Sequence, residues 1–215
     1  DFCLSRGLGD VYKRQRLLSA DGSRFEVSFD GKVEGVVDWQ LTGQHNVANA
    51  LAVLAAARHV GVVPALGIEA LGKFINAKRR MEKVAEVNGV TVYDDFAHHP
   101  TAIATTLDGL RKRVGDEQII AVIEPRSNSM KLGAHRDGLA ESAVQADAVF
   151  WYAPPNLGWD LAATVAGATN PTQVCDSLEA IIDGVKARVR PGTQVVIMSN
   201  GGFGGLHGKL AKALS

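Results

Sequence analysis

Two adjacent aspartates, two adjacent histidines and a proline stand close together in the stretch TVYDDFAHHPTAIAT, Thr91 to Thr105. A short β-like run leads into Asp94 and Asp95, and a helix is expected to start at Pro100. Polar groups at the carboxyl end of a parallel strand, just before a crossover helix, are where open α/β sheets place ligand contacts. A carboxylate there can hold ribose hydroxyls or help position a metal; it can equally cap the strand end. His98 and His99 can reach a phosphate, a carboxylate or a base, or serve in helix entry and packing. Zinc is disfavoured, because adjacent histidines rarely reach one metal together and no cysteine lies near.

Two further loops fall at predicted strand ends. EPRSNSMK, Glu124 to Lys131, carries two cations with hydroxyl and amide groups. It suits a ligand with carboxylates, which Arg126 can hold through both guanidinium edges. SNGGFGGLH, Ser199 to His207, has four glycines that admit close backbone approach and positive φ. It is neither the phosphate loop of the NTPases nor a dinucleotide fingerprint. Upstream, GQHNVANALA opens an Ala-rich helix with Asn46 as its expected cap. Asn46 and Asn49, three apart, share a face. Lys78, Arg79 and Arg80 form a short basic run, a common surface feature that can also fork onto phosphate.

The elements that must position these residues alternate regularly. Residues 24–41 read as a hairpin turning at Asp30-Gly31. Val47–Val60 reads as a helix apolar enough to be buried on most sides, and Val63–Phe74 as a shorter one. A hairpin turning at Asn88-Gly89 follows, and a domain boundary is expected between Phe74 and Val84. From Val90 on, strands at 90–93, 119–123, 148–152, 173–175 and 193–198 alternate with helices at 100–113, 133–145, 161–166 and 178–189 and a terminal one. This pace predicts an α/β fold: a Rossmann-like domain with a mostly parallel sheet flanked by helices.

Lys plus Arg equals Asp plus Glu, at 23 each, which argues against nucleic acid or an anionic membrane as partner. No apolar run reaches the ~18–20 residues of a membrane span. Cys3 and Cys175 lack metal or disulfide spacing, which fits a reducing compartment. Residues 1–16 join no pattern and are expected to be a non-native leader on a truncated chain. Composition leaves the oligomeric state open.

GQHNVANALA, the Arg80 region, DDFAHHPT and the α/β domain after them resemble the Mur ligases, over roughly residues 24–215. EPRSNSMKLG and MSNGGFGGLHGKL are most similar to the subgroup that adds a whole tripeptide. The resemblance implies an ATP- and Mg2+-dependent cytoplasmic ligase of peptidoglycan recycling. It would join L-alanyl-γ-D-glutamyl-meso-diaminopimelate, the murein tripeptide, to UDP-N-acetylmuramate through an acyl phosphate. It implies that residues 17–83 are the tail of a central ATP-binding domain and 84–215 the acceptor domain. The phosphate loop and UDP-sugar domain are missing, so this chain alone is expected not to ligate. His98 and His99 would line the catalytic cleft. His45, Asn46, Asn49, Arg80 and Asp95 would contact nucleotide, Asp95 through ribose. Arg126, Ser127, Asn128, Lys131, Asn200, Gly201 and Gly202 would hold the acceptor, and no residue is assigned to metal. Alternatives are a ligase adding L-alanine or another amino acid, and a non-catalytic Rossmann-like binding module. The last predicts that Asp95, His98 and Arg126 do not converge.

Overall fold

The computed structural model describes residues 14–126, 138–155 and 157–215. The chain divides into two compact units, residues 1–76 and 77–215.

In the first unit, three antiparallel strands, β1 (Arg14–Leu17), β2 (Arg24–Phe29) and β3 (Lys32–Asp38), form one sheet. The β2–β3 turn places Asp30 at φ 47° and Gly31 at φ 78°. Two left-handed residues in succession match the right-handed twist of the flanking strands. β1 pairs Arg14 with Ser28 and Arg16 with Glu26, so the ladder reaches into residues assigned above to a leader. Backbone pairing requires no side-chain alternation, so no periodicity announces this strand.

Helix α1 (Gln44–His59) starts three residues earlier than expected, after Gly43 at φ 93°. Asn46 is therefore inside the helix, and its amide donates to Thr42 O at 2.7 Å. With α2 (Pro64–Gly72), α1 covers a core of Phe25, Val27, Val37, Trp39, Leu41, Val47, Leu54 and Ile68. Burial of α1 on most sides is not found in this unit. Val47, Ala50 and Leu54 are buried, whereas Val53 is 56% exposed. Small alanines on the remaining faces have little area to bury, so one stripe suffices to dock the helix.

The second unit contains a sheet of order β4-β5-β9-β6-β7-β8. Its strands are β4 (Glu82–Val87), β5 (Val90–Asp95), β6 (Ile119–Ile123), β7 (Ala148–Tyr152), β8 (Thr172–Cys175) and β9 (Gln194–Met198). The β4–β5 hairpin is antiparallel and every other pairing is parallel. Asn88 and Gly89 turn that hairpin, both at positive φ. β6 and β9 are wholly buried, as expected where helices cover both faces. On one face, α3 (Pro100–Val114), α4 (Leu139–Ser142) and α5 (Leu161–Val165) pack Ile103, Leu107, Leu139 and Leu161 onto Ala121, Ile123, Trp151 and Met198. On the other, α6 (Leu178–Lys186) and α7 (Leu206–Leu214) pack Ile181, Val185, Leu206 and Leu210 onto Val92, Ile120, Phe150 and Ile197. Of the helix expected over residues 133–145, α4 is the part seen; 127–137 lie outside the described residues.

Candidate acceptor and nucleotide site

β5, β9 and β6 are neighbours and run parallel, with Asp95, Met198 and Ile123 in register at their carboxyl ends. The three polar loops read from the sequence therefore leave the same edge of one sheet. The backbone joins them: Ser199 N donates to Asp95 O at 3.0 Å and Glu124 N donates to Met198 O at 2.9 Å. β9 is last in sequence but central in space, so the glycine loop lies between the other two.

Asp94 and Asp95, being adjacent on a strand, diverge to opposite faces. Asp95 is 3% exposed. Its Oδ2 accepts from Met81 N and its Oδ1 from Ala97 N, each at 2.8 Å. Burial pushes its carboxyl above the usual range, against the pull of these amides and of the Arg80 charge. Both oxygens are thus committed to backbone, so Asp95 organises the turn before β4 and the loop after β5.

Asp94 accepts from Arg79 Nε at 3.1 Å. Its other oxygen is 3.1 Å from His207 Nε2, an off-line electrostatic contact when the imidazole carries a proton. Arg79 Nη2 also donates to Ser199 O and Gly201 O, at 2.6 and 2.7 Å. A hydroxyl just after β9 ties this corner to the third loop. Ser199 Oγ donates to the buried Glu124 carboxylate and accepts from Gly201 N at 2.9 Å.

His98 Nδ1 donates to Phe96 O at 2.8 Å. In the neutral ring this places the proton on Nδ1 and leaves Nε2 as the acceptor. The imidazole stands edge-on to Phe96, 5.5 Å between centroids. Phe96 is also flanked by the Arg79 and Arg80 guanidinium carbons, 5.3 and 5.5 Å from its ring centre. His99 precedes α3 with extended backbone, and its carbonyl accepts the amide of Ile103. Arg80 is exposed.

Arg126 is exposed and leans on the glycine loop. A Cβ on Gly201 would lie 2.1 Å from Arg126 Nη1 and 2.6 Å from its Cζ. Gly201 thus serves close approach, whereas Gly204 and Gly205 serve positive φ, at 56° and 72°. Asn200 is half-buried and its Oδ1 makes no hydrogen bond; Gly202 is exposed. Ser127, Asn128 and Lys131 lie outside the described residues. In the first unit, His45 and Asn49 are exposed at the start of α1, with Asn46 half-buried between them.

Asp95, His98, Arg126 and Gly201 therefore share one sheet edge. Asp94 and Arg79 entered the sequence reading only as members of a carboxylate pair and a basic run, and Glu124, Ser199 and His207 only as loop ends, yet these five hold that edge together. Adjacent carboxylates on a strand signalled the divergence of Asp94. Nothing local distinguishes Arg79 from Lys78 and Arg80.

Residues 79–201 match the family described as Mur ligase, glutamate ligase domain. The chain belongs to the Mur ligases. It is 50% identical, over 199 residues, to the UDP-N-acetylmuramate–L-alanyl-γ-D-glutamyl-meso-2,6-diaminoheptandioate ligase of Escherichia coli K12. That match covers 92% of this chain and 44% of the relative. Identity to the UDP-N-acetylmuramate–L-alanine ligase of Acidothermus cellulolyticus is 34% over 194 residues, covering 86% of this chain and 40% of that one. The crystal structure of a murein peptide ligase from Psychrobacter arcticus superposes with a TM-score of 0.69 at 47% identity. It covers 93% of this chain and 43% of that structure. This Mur ligase chain thus spans less than half the length of each of these three relatives.

Proposed function

We propose that this chain is the acceptor-binding portion of an ATP-dependent, cytoplasmic Mur ligase that joins L-alanyl-γ-D-glutamyl-meso-diaminopimelate to UDP-N-acetylmuramate. The observation that carries the reading is the seating of an exposed Arg126 on Gly201, where the β6 and β9 loops meet. A guanidinium held there presents its free edge to a carboxylate. A tripeptide ending in diaminopimelate offers several carboxylates, whereas L-alanine offers one. The higher identity to a tripeptide ligase than to an L-alanine ligase favours the same choice.

In the reaction expected of such a ligase, the acceptor's amine attacks an acyl phosphate. An amide forms, inorganic phosphate leaves, and the amine's proton passes to a base. This chain's contribution is to hold the acceptor by its carboxylates so that the amine points at the acyl carbon. Asn200 and Gly202 line the same loop, and Ser127, Asn128 and Lys131 continue the Arg126 segment. His98 and His99 follow β5 at the same sheet edge, with the His98 Nε2 left as an acceptor by the Nδ1 bond to Phe96 O. Arg80 is the nucleotide-facing cation, set by Asp95. His45, Asn46 and Asn49 offer amide and imidazole groups suited to a nucleotide base. Among the described residues no group of three His, Cys, Asp or Glu side chains could hold a metal ion. Mg2+ commonly binds through one or two carboxylates together with substrate phosphates, and no step is assigned to it here.

The test is binding of the tripeptide and of L-alanine to this chain by calorimetry or NMR titration. Tripeptide binding at least about tenfold tighter is expected, because extra charge-assisted hydrogen bonds separate the two ligands. Equal or tighter binding of L-alanine would refute the assignment.

A further inference from the structure

We infer that Arg79 is a positioning residue for Arg126, acting through the backbone of Gly201; the inference rests on the acceptor reading of Arg126. Arg79 occupies the left-handed region at φ 61°, and Met81 two residues on has φ 51°. Non-glycine residues adopt this conformation at a cost and keep it where surrounding bonds enforce it. Three bonds do so. Arg79 N donates to Glu82 Oε2, Phe96 N donates to Arg79 O, and Met81 N donates to Asp95 Oδ2, each at 2.8 Å. The turn is thereby locked with the Arg79 side chain aimed into the carboxyl edge of the sheet.

Its guanidinium is consumed there. One nitrogen bonds the carbonyls of Ser199 and Gly201 together and another bonds Asp94, which offsets the charge. A rigid planar fork can serve these three acceptors at once; a single ammonium is a point charge on a flexible stem. Arg79 therefore serves the loop rather than a ligand anion. Gly201 is the shared piece. Arg79 holds its carbonyl, and Arg126 packs against its α carbon. The root of Arg126 is tied to the same place. Arg126 N donates to Glu124 O at 2.9 Å, while the Glu124 side chain accepts from Ser199. A loop released from Arg79 would shift the surface on which the ligand-facing guanidinium rests.

The test is NMR titration of the 15N-labelled chain with the tripeptide, comparing wild type with Arg79→Met, Arg79→Lys, Gly201→Ala, Arg126→Ala and the Arg79→Met/Arg126→Ala pair. Arg79→Met is expected to weaken binding about tenfold, the scale of one lost charge-assisted contact, with Arg79→Lys restoring part of it. Once Arg126 is alanine, the same change should cost less than about twofold, because coupled residues are non-additive. Gly201→Ala, which leaves Arg79 in place and displaces Arg126 directly, should match Arg126→Ala. Wild-type affinity in Arg79→Met, or an equal loss with and without Arg126, overturns the inference. Binding that is absent in the wild type, or indifferent to Arg126→Ala, overturns the acceptor reading and this inference with it.

Discussion

Asp95→Asn separates two opposed effects at a buried carboxylate. Asp95 accepts the amides of Met81 and Ala97 through different oxygens. Asparagine can accept one; its NH2 would face the other amide, donor against donor. An unsatisfied buried amide costs about 1–3 kcal/mol. Releasing Met81 would also free a left-handed turn whose strain is on the order of 1 kcal/mol per residue. Against this, asparagine removes a charge that burial already disfavours, as the raised carboxyl pKa records. A net loss of about 1–3 kcal/mol is expected at pH 7.

The pH dependence follows from the sign of the shift. Because the folded pKa lies above the unfolded one, this group's stabilising contribution is fully present below the unfolded value. It is lost as pH rises through the folded value. The gap between wild type and Asp95→Asn should therefore narrow as pH rises through that window. Hydrogen exchange at β6 and β9 amides would report the stability of the second unit alone. An Asp95→Asn chain as stable as wild type at pH 7, or a gap that widens with pH, would refute the reasoning.

Two further outcomes follow from packing and burial. A Cβ on Gly184 would meet Phe150 Cε1 at 2.3 Å, and Phe150 is buried. Gly184→Ala should destabilise the second unit by about 1–3 kcal/mol in urea unfolding, although alanine within a helix ordinarily adds ~0.5–1 kcal/mol. Cys175 is 4% exposed, and burial pushes its thiol pKa up. It should alkylate slowly in the folded chain at pH 8 and at an ordinary rate in urea, read by peptide mapping to separate it from Cys3.

The parallel sheet was legible because β6 and β9 are nearly pure apolar runs between helical segments, and because Asn88-Gly89 and Asp30-Gly31 are strong turn signals. The shared edge could be read from three polar loops at strand ends, since a parallel sheet puts all its carboxyl ends on one side. Other features were not legible, for identifiable reasons. α1 begins after Gly43 and not at Asn46, because a left-handed glycine opened the helix where an asparagine cap was the commoner signal. The Arg79 corner depends on positive φ at two non-glycine residues and on carbonyls more than a hundred positions away, which no local pattern encodes. Asp95 read as a ligand contact because polar strand ends often are; that its oxygens also accept the amides of Met81 and Ala97 depends on a turn distant in sequence. The role of Gly201 emerged once Arg126 was found against it.

The central claim is that the β5, β6 and β9 loops form one anion-binding acceptor site. Mapping amide shifts of the 15N-labelled chain on titration with the tripeptide tests it most directly. Shifts should concentrate at Phe96–His98, Arg126 and Ser199–Gly202. Amides at the opposite sheet edge, Gln118 and Gly192–Gln194, should stay still. Binding that moves the opposite edge, or shifts scattered without regard to these three loops, would contradict it.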